Sequence, residues 1–308
     1  MTKDDIFLYE VDKEKKIATI TFNKPEKLNA FSIEEMGALT KLLQKPQRDD
    51  NVKVLILKGA GRAFGVGDDM STFLNEIGLT SKEGKPVYAR PSQRARLLVD
   101  NSSFGPMGFL QALTYFCKAT IAQVHGYCYG GNLGIALACD ITIAADDTIF
   151  GHPGYRYMGP SAEGFHLPFI LNIGVKRMME LMLTGRPFTA EEAERIGLIN
   201  KAVPSDKLEE EVNRYAEAIS LLSLDGIVVG KFVTRLALDK LGYGGVAATI
   251  AHTLGTNVKW DPGDFNMLKE IRDKGMKEAI KERDARYAAL GMDIETARRE
   301  IRKRKSSS

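Results

Sequence analysis

The sequence predicts a mixed α/β protein in which turns of strand, strand and helix lead into an all-helical C-terminal region. Three observations carry that expectation. Up to residue 203, short β-branched runs alternate with helical stretches across glycine and proline turns. After Pro204 only helical patterns remain, over about 204–224, 226–241, 246–256 and 264–288. Finally, "VLILKGAGRAFGVGDD" and "IAQVHGYCYGGNLG" each run a strand into a glycine turn, and a fold of repeated turns brings such loops side by side. These observations divide the chain into a core over 1–203 and a helical cap over 204–308.

Taken in order, "IFLYEV" and "IATITFN" read as two strands joined by the charged hairpin "DKEKK". Ser32 followed three residues later by Glu35 is a helix-start signature, so a helix is expected from there to about Leu43. "VKVLILKG" (52–59) is a partly buried strand, followed by the loop "GAGRAFGVGDDM". The span 71–118 begins polar and ends helical in "GFLQALTYF", which reads as a flap and then a helix entering the next strand. "TIAQVHGYCY" reads as a strand, "GGNLGIALACD" as a glycine turn and short helix, and "ITIAA" as another strand.

Composition limits what the protein can do. At 308 residues the chain buries a sizeable core, and 44% apolar with 27% charged residues is ordinary for a globular protein. A net charge of +3, concentrated in the tail "ARREIRKRKSSS", is too small to imply nucleic acid. The first residues lack an apolar signal region, and no uninterrupted apolar run reaches transmembrane length, so a cytoplasmic protein without a membrane partner is expected. Cys117, Cys128 and Cys139 form no CxxC pair and are expected to be buried, reduced thiols.

Familiar catalytic signatures fail. Phe64 stands where a third dinucleotide-loop glycine would fall after Gly59 and Gly61, and there is no GxxxxGK[ST] and no G-x-S-x-G elbow. His125, His152, His166 and His252 have no metal-ligand spacing, so no metal is expected. Two glycine loops with backbone N–H groups to offer remain. Converging N–H donors suit the stabilisation of an oxyanion on a polarised carbonyl.

Four segments, "NKPEKLNAFS" (23–32), "GAGRAFGVGDDM" (59–70), "IAQVHGYCYGGNLGIALACDITIAADDTIFGHP" (121–153) and "LTGRPFTAEEAERIGLINKAVP" (183–204), resemble the crotonase, or enoyl-CoA hydratase/isomerase, superfamily. Order and spacing fit over roughly residues 5–290. The resemblance implies a spiral of ββα turns with a helical C-terminal cap that also serves oligomerisation, in trimers or dimers of trimers. It implies an acyl-CoA thioester substrate, with coenzyme A arriving as part of the substrate and no tightly bound cofactor. The thioester oxygen would be held by the N–H groups of Asp68 and Gly131. Lys27, Leu28 and Ala30 fall where the family wraps backbone round CoA, Asp69 matches an acid of mostly local structural role, and Lys281 and Tyr287 fall where the terminal helix approaches CoA.

The chain also departs from that pattern. The two hydratase glutamates are replaced by Gly134 and Gly154, and Asn132 replaces the third glycine of the turn. Glu163 is the nearest acid expected to reach the same pocket, at a site where related carbon–carbon bond hydrolases carry one; Tyr155 or Tyr157 falls where those relatives place a His. The expected activity is therefore hydrolysis of a carbon–carbon bond in a β-keto or cyclic acyl-CoA, through a thioester enolate. Decarboxylation and hydration or isomerisation with relocated groups are the alternatives within the family. A CoA- or RNA-binding scaffold without chemistry is the alternative outside it, and turnover of acyl-CoA thioesters separates the two.

Overall fold

The computed structural model describes residues 6–69, 106–152 and 166–238, with scattered residues between 240 and 288. The chain divides into two compact units, Met1–Val212 and Asn213–Ser308. The first unit holds β1 (Phe7–Asp12), β2 (Ile17–Phe22), α1 (Ile33–Leu42), α2 (Gln44–Arg48), β3 (Val54–Gly59), α3 (Pro106–Thr114), β4 (Ala119–Val124) and β5 (Tyr127–Tyr129). It continues with α4 (Gly130–Ala138), β6 (Ile141–Ala145), β7 (Ile149–Gly151), α5 (His166–Thr184), β8 (Phe188–Thr189), α6 (Ala190–Arg195) and β9 (Lys201–Val203). Helix α7 (Leu208–Ser220) runs across the division, and α8 (Leu224–Leu238) lies in the second unit. Among the described residues no helix is long and apolar enough to cross a membrane.

Two sheets share the strands. The larger has the order β1-β2-β3-β4-β6-β9, antiparallel only between β1 and β2, and the smaller has the order β5-β7-β8. Isolated parallel bridges Phe31↔Asp68 and Gly65↔Cys128 extend the smaller sheet's ladder back through the earlier turns. Successive turns thus place one segment in each ladder, the stacking that a spiral of ββα repeats requires. Parallel strands covered on both faces read as unbroken apolar runs, which is why Val54–Leu57 are all buried.

Local rules account for much of this. Ser32 caps α1: the Glu35 N–H donates to Ser32 Oγ (3.2 Å) and the Ser32 N–H to Glu35 Oε2 (2.8 Å), a reciprocal capping box. The apolar run 119–129, expected as one strand, is instead two strands in different sheets. The break is Gly126, at φ +61°, where a β-carbon would overlap the carbonyl oxygen of Arg62. His125 sits beside it with Nε2 2.9 Å from the Gly61 carbonyl, a structural contact. Helix α5 is interrupted at Gly174, at φ +76°. None of the three cysteines is in a disulfide; Cys128 is buried, and burial pushes its thiol pKa up, while Cys117 and Cys139 are half-buried.

The aromatic core fixes the loops that carry the site. Phe22 of β2 meets Phe31 edge-on at 5.3 Å between ring centroids and Phe64 at 5.3 Å, and Phe7 meets Phe31 at 5.1 Å. Each such pair contributes about 0.5–1.5 kcal/mol beyond area burial. The loops before α1 and after β3 are thereby anchored to one cluster.

Candidate functional site

Residues 23–32 form the first wall. Pro25–Lys27 is a single 3-10 turn, and Leu28 and Asn29 follow it at φ 52° and 56°, the left-handed region that costs most residues energy. Asn29 offsets that cost with a fully buried carboxamide: its Oδ1 accepts from the Lys24 N–H (2.9 Å), and its Nδ2 donates to the carbonyls of Ala60 (3.1 Å) and Ala63 (2.8 Å). Left-handed backbone suits Asn for this reason. The curl carrying Lys27, Leu28 and Ala30 is therefore stitched to the loop that carries Asp68.

Charge holds the same two segments together. Lys24 Nζ lies 2.7 Å from Glu35 Oε1 and 3.7 Å from Asp69 Oδ2, and Lys27 Nζ lies 2.5 Å from Asp69 Oδ2. Lys24 and Asp69 are both buried. The hydrogen bond to Asp69, and then that residue's charge, raises the Lys27 pKa. A raised lysine pKa makes this tie complete at neutral pH and lost only as pH climbs through the raised value; with Lys27 half-exposed, solvent keeps the effect small. Lys24→Met leaves Glu35 without its buried cation and is expected to cost about 3 kcal/mol. Urea unfolding of the variant checks this, and an unchanged midpoint would show that solvent already neutralises the pair.

The second wall is the pair of glycine loops. Phe31 brackets Asp68: its N–H donates to the Gly67 carbonyl (3.0 Å), and its carbonyl accepts from the Asp69 N–H (2.9 Å). A peptide unit is planar and trans, so holding the Gly67 carbonyl toward Phe31 turns the Asp68 N–H to the opposite side. Gly67 permits this with φ +93°. A β-carbon there would lie 2.9 Å from the Gly131 nitrogen and 3.3 Å from the Gly130 α-carbon, so the loops abut backbone to backbone. Gly130, at φ +51°, opens α4, and Gly131 is its second residue. The N–H groups of a helix's first turn have no intrahelical acceptor and carry the positive end of its dipole.

The structure thus brings Asp68, Gly131, Asp69, Lys27, Leu28 and Ala30 into one region of the first unit. Lys281 belongs to the second unit, where its exposed side chain pairs with Glu278 at 3.4 Å. Tyr155, Tyr157, Glu163 and Tyr287 lie outside the described residues, as do Gly154 and the flap. Gly134 is buried within α4. Sequence reasoning missed Lys24, Asn29, Phe31 and Glu35 as parts of the wall. It noted Asn132 only as a departure, although its carboxamide reaches the facing loop: Oδ1 accepts from the Gly67 N–H at 2.8 Å. Among the described residues no His, Cys, Asp or Glu cluster forms a metal site.

Comparison with known proteins agrees with this geometry. The Enoyl-CoA hydratase/isomerase family model matches residues 12–227. A probable enoyl-CoA hydratase of Mycobacterium tuberculosis is 34% identical over 225 residues, covering 72% of this chain and 75% of that protein. A probable mitochondrial enoyl-CoA hydratase of Dictyostelium discoideum is 32% identical over 223 residues, covering 71% of this chain and 72% of its own. The crystal structure of an enoyl-CoA hydratase/isomerase from Xanthobacter autotrophicus Py2 superposes with a TM-score of 0.66 at 28% identity, covering 91% of this chain and 98% of that one. The matched span contains the curl, both glycine loops and the ladders that bring them together, and on that ground the chain belongs to the enoyl-CoA hydratase/isomerase family, within the crotonase superfamily.

Proposed function

We propose that the protein is an acyl-CoA-transforming enzyme that holds the thioester oxygen between the N–H groups of Asp68 and Gly131 and so stabilises an enolate. The observation that supports this most is the abutment of the loops, with Gly67 so close to the Gly131 nitrogen that only glycine fits. Oxyanion stabilisation by fixed N–H donors is often the largest single contribution to such a reaction. Family membership and the names of the relatives support an acyl-CoA substrate.

Within this reading we infer hydrolysis of a carbon–carbon bond in a β-keto or cyclic acyl-CoA. Glu163 takes a proton from water as the oxygen adds to the β-carbonyl, where Tyr155 or Tyr157 donates a hydrogen bond. The Cα–Cβ bond then breaks, its electron pair enters the thioester enolate, and the α-carbon takes up the proton, leaving a carboxylic acid and a shortened acyl-CoA. Gly134 and Gly154 favour this over hydration, since neither can move a proton; the relatives' names favour hydration or isomerisation with relocated groups. A panel of acyl-CoA thioesters with product identification separates the outcomes: acid plus shorter thioester for hydrolysis, carbon dioxide for decarboxylation, a hydroxyacyl or shifted enoyl product for the others. Binding without any product overturns the enzyme reading.

Gly131→Pro tests the donor itself. Proline is tolerated in the first turn of a helix, and a β-carbon at Gly131 meets only the Gly67 α-carbon, at 3.6 Å, and Asp68 Oδ1, at 3.9 Å. The variant is expected to fold by circular dichroism and to lose about 10²–10³-fold in turnover. Full turnover in the folded variant would remove Gly131 from the hole.

A further inference from the structure

One side chain joins the two donor loops. Asn132 follows Gly131 in α4 and is 1% exposed, and its Oδ1 accepts from Gly67, the residue before Asp68. The N–H of Gly67 fixes which way round the carboxamide lies, because only an oxygen can accept it. Nδ2 is then buried and finds no acceptor among the described residues. A buried donor without a partner is a cost to folding, and among the described residues the bond to Gly67 is what this carboxamide makes in return. The facing residue is shaped to receive it: a β-carbon on Gly65 would overlap Nδ2, Cγ and Oδ1 of Asn132, and these are its three nearest neighbours.

The bond matters because of what Gly67 does. Two successive N–H groups meet at its backbone: its own, which Asn132 of α4 accepts, and that of Asp68, which points away from Phe31. Two N–H groups side by side make a shallow anion-binding concavity, and a carbonyl oxygen offered both has no single position. Asn132 occupies the first, and it fixes the peptide plane on one side of Gly67 while Phe31 fixes the plane on the other. A glycine at position 132 has no side chain with which to do this.

We propose that Asn132 is a positioning residue of the oxyanion hole: by accepting the Gly67 N–H it directs the thioester oxygen onto Asp68 and Gly131. The proposal rests on the reading of those two as the thioester donors. The probe is cinnamoyl-CoA, whose conjugated absorption moves to longer wavelength when its thioester carbonyl accepts strong hydrogen bonds. The wild-type protein is expected to bind it with such a shift. Asn132→Ala is expected to bind with nearly unchanged affinity and to lose most of the shift. On a thioester that turns over, its kcat falls on the order of 10–10²-fold with little change in KM, as a small misplacement of reacting groups does.

Gly65→Ala reaches the same bond from the other side. Gly65 has no positive φ and its new methyl group meets the Asn132 carboxamide first, so the same spectral loss is expected. The double variant Gly65→Ala/Asn132→Ala should lose no more than Asn132→Ala alone, since coupled residues are not additive. It also carries the test should Asn132→Ala fail to fold, because its methyl group fills the emptied space. A variant that melts earlier but keeps the full shift and kcat reduces Asn132 to a packing residue and overturns the proposal. A wild-type protein that binds the probe with no shift removes the hole, and Asn132's part with it, and is thereby told apart from a failure of Asn132 alone.

Discussion

Crotonyl-CoA mixed with excess protein is expected to keep its conjugated-thioester absorbance, turning over about 10²–10⁴-fold more slowly than the roughly 10 per second of an ordinary metabolic enzyme. Hydration needs one group to deprotonate water and one to protonate the α-carbon. In the proposed site the backbone N–H groups of Asp68 and Gly131 would stabilise the enolate between those steps but deliver no proton. A residue three positions along a helix shares the face of the first, so a side chain at 134 would stand beside the Gly131 donor. Gly134 offers only hydrogen there, and Gly154 has no side chain either. Fast hydration, at 10 per second or above, would mean that Glu163 or a residue of 70–105 performs the proton transfers from a new place.

The second large effect is expected at Glu163. Glu163→Gln keeps the side chain's shape and removes its capacity to take a proton, so turnover of a hydrolysed β-keto acyl-CoA should fall by about 10²–10⁴-fold. Thioester affinity, measured by calorimetry, should stay nearly constant, because the proposed role lies in activating water rather than in holding CoA. A folded Glu163→Gln variant with wild-type turnover would leave Glu163 without a part in catalysis, and the base would have to be sought elsewhere.

How far these features were legible depends on how far apart in sequence their causes lie. The capping box of Ser32 and Glu35 spans three residues and could be read directly. The strand-to-glycine units were legible because each is local, and their juxtaposition followed from their repetition. The division of 119–129 into two strands was not, because its cause is the carbonyl of Arg62, far back along the chain. Helix α2 lies beyond the helix expected to end at about Leu43; its Pro46 sits in the first turn, where a missing N–H leaves no hydrogen bond unmade. Asn132 stood out only as the wrong residue for a glycine turn. Its bond to Gly67, 65 residues away, could be seen only once the loops were folded together. The buried Lys24 was not singled out either, since Glu35 and Asp69 reach it from two other segments.

The ladders that bring Gly65–Asp68 beside Tyr129–Gly131 also decide where the chain tolerates a change of length. Strand β3 pairs with β4 from Val54↔Ala119 to Lys58↔Gln123, and the two segments meet again, two residues out of that register, at the bridge Gly65↔Cys128. A slip of one residue in this pairing would slide one donor past the other by about 3.3 Å, more than a shared oxygen can span, and would exchange the two buried faces of the strand. Residues 70–105 connect these paired segments but take no part in their described pairing. The spacing of Asp68 and Gly131 is thus a property of the lattice of strands rather than of the peptide between them. Lengthening or grafting that connection is expected to leave Asp68 and Gly131 at the same separation.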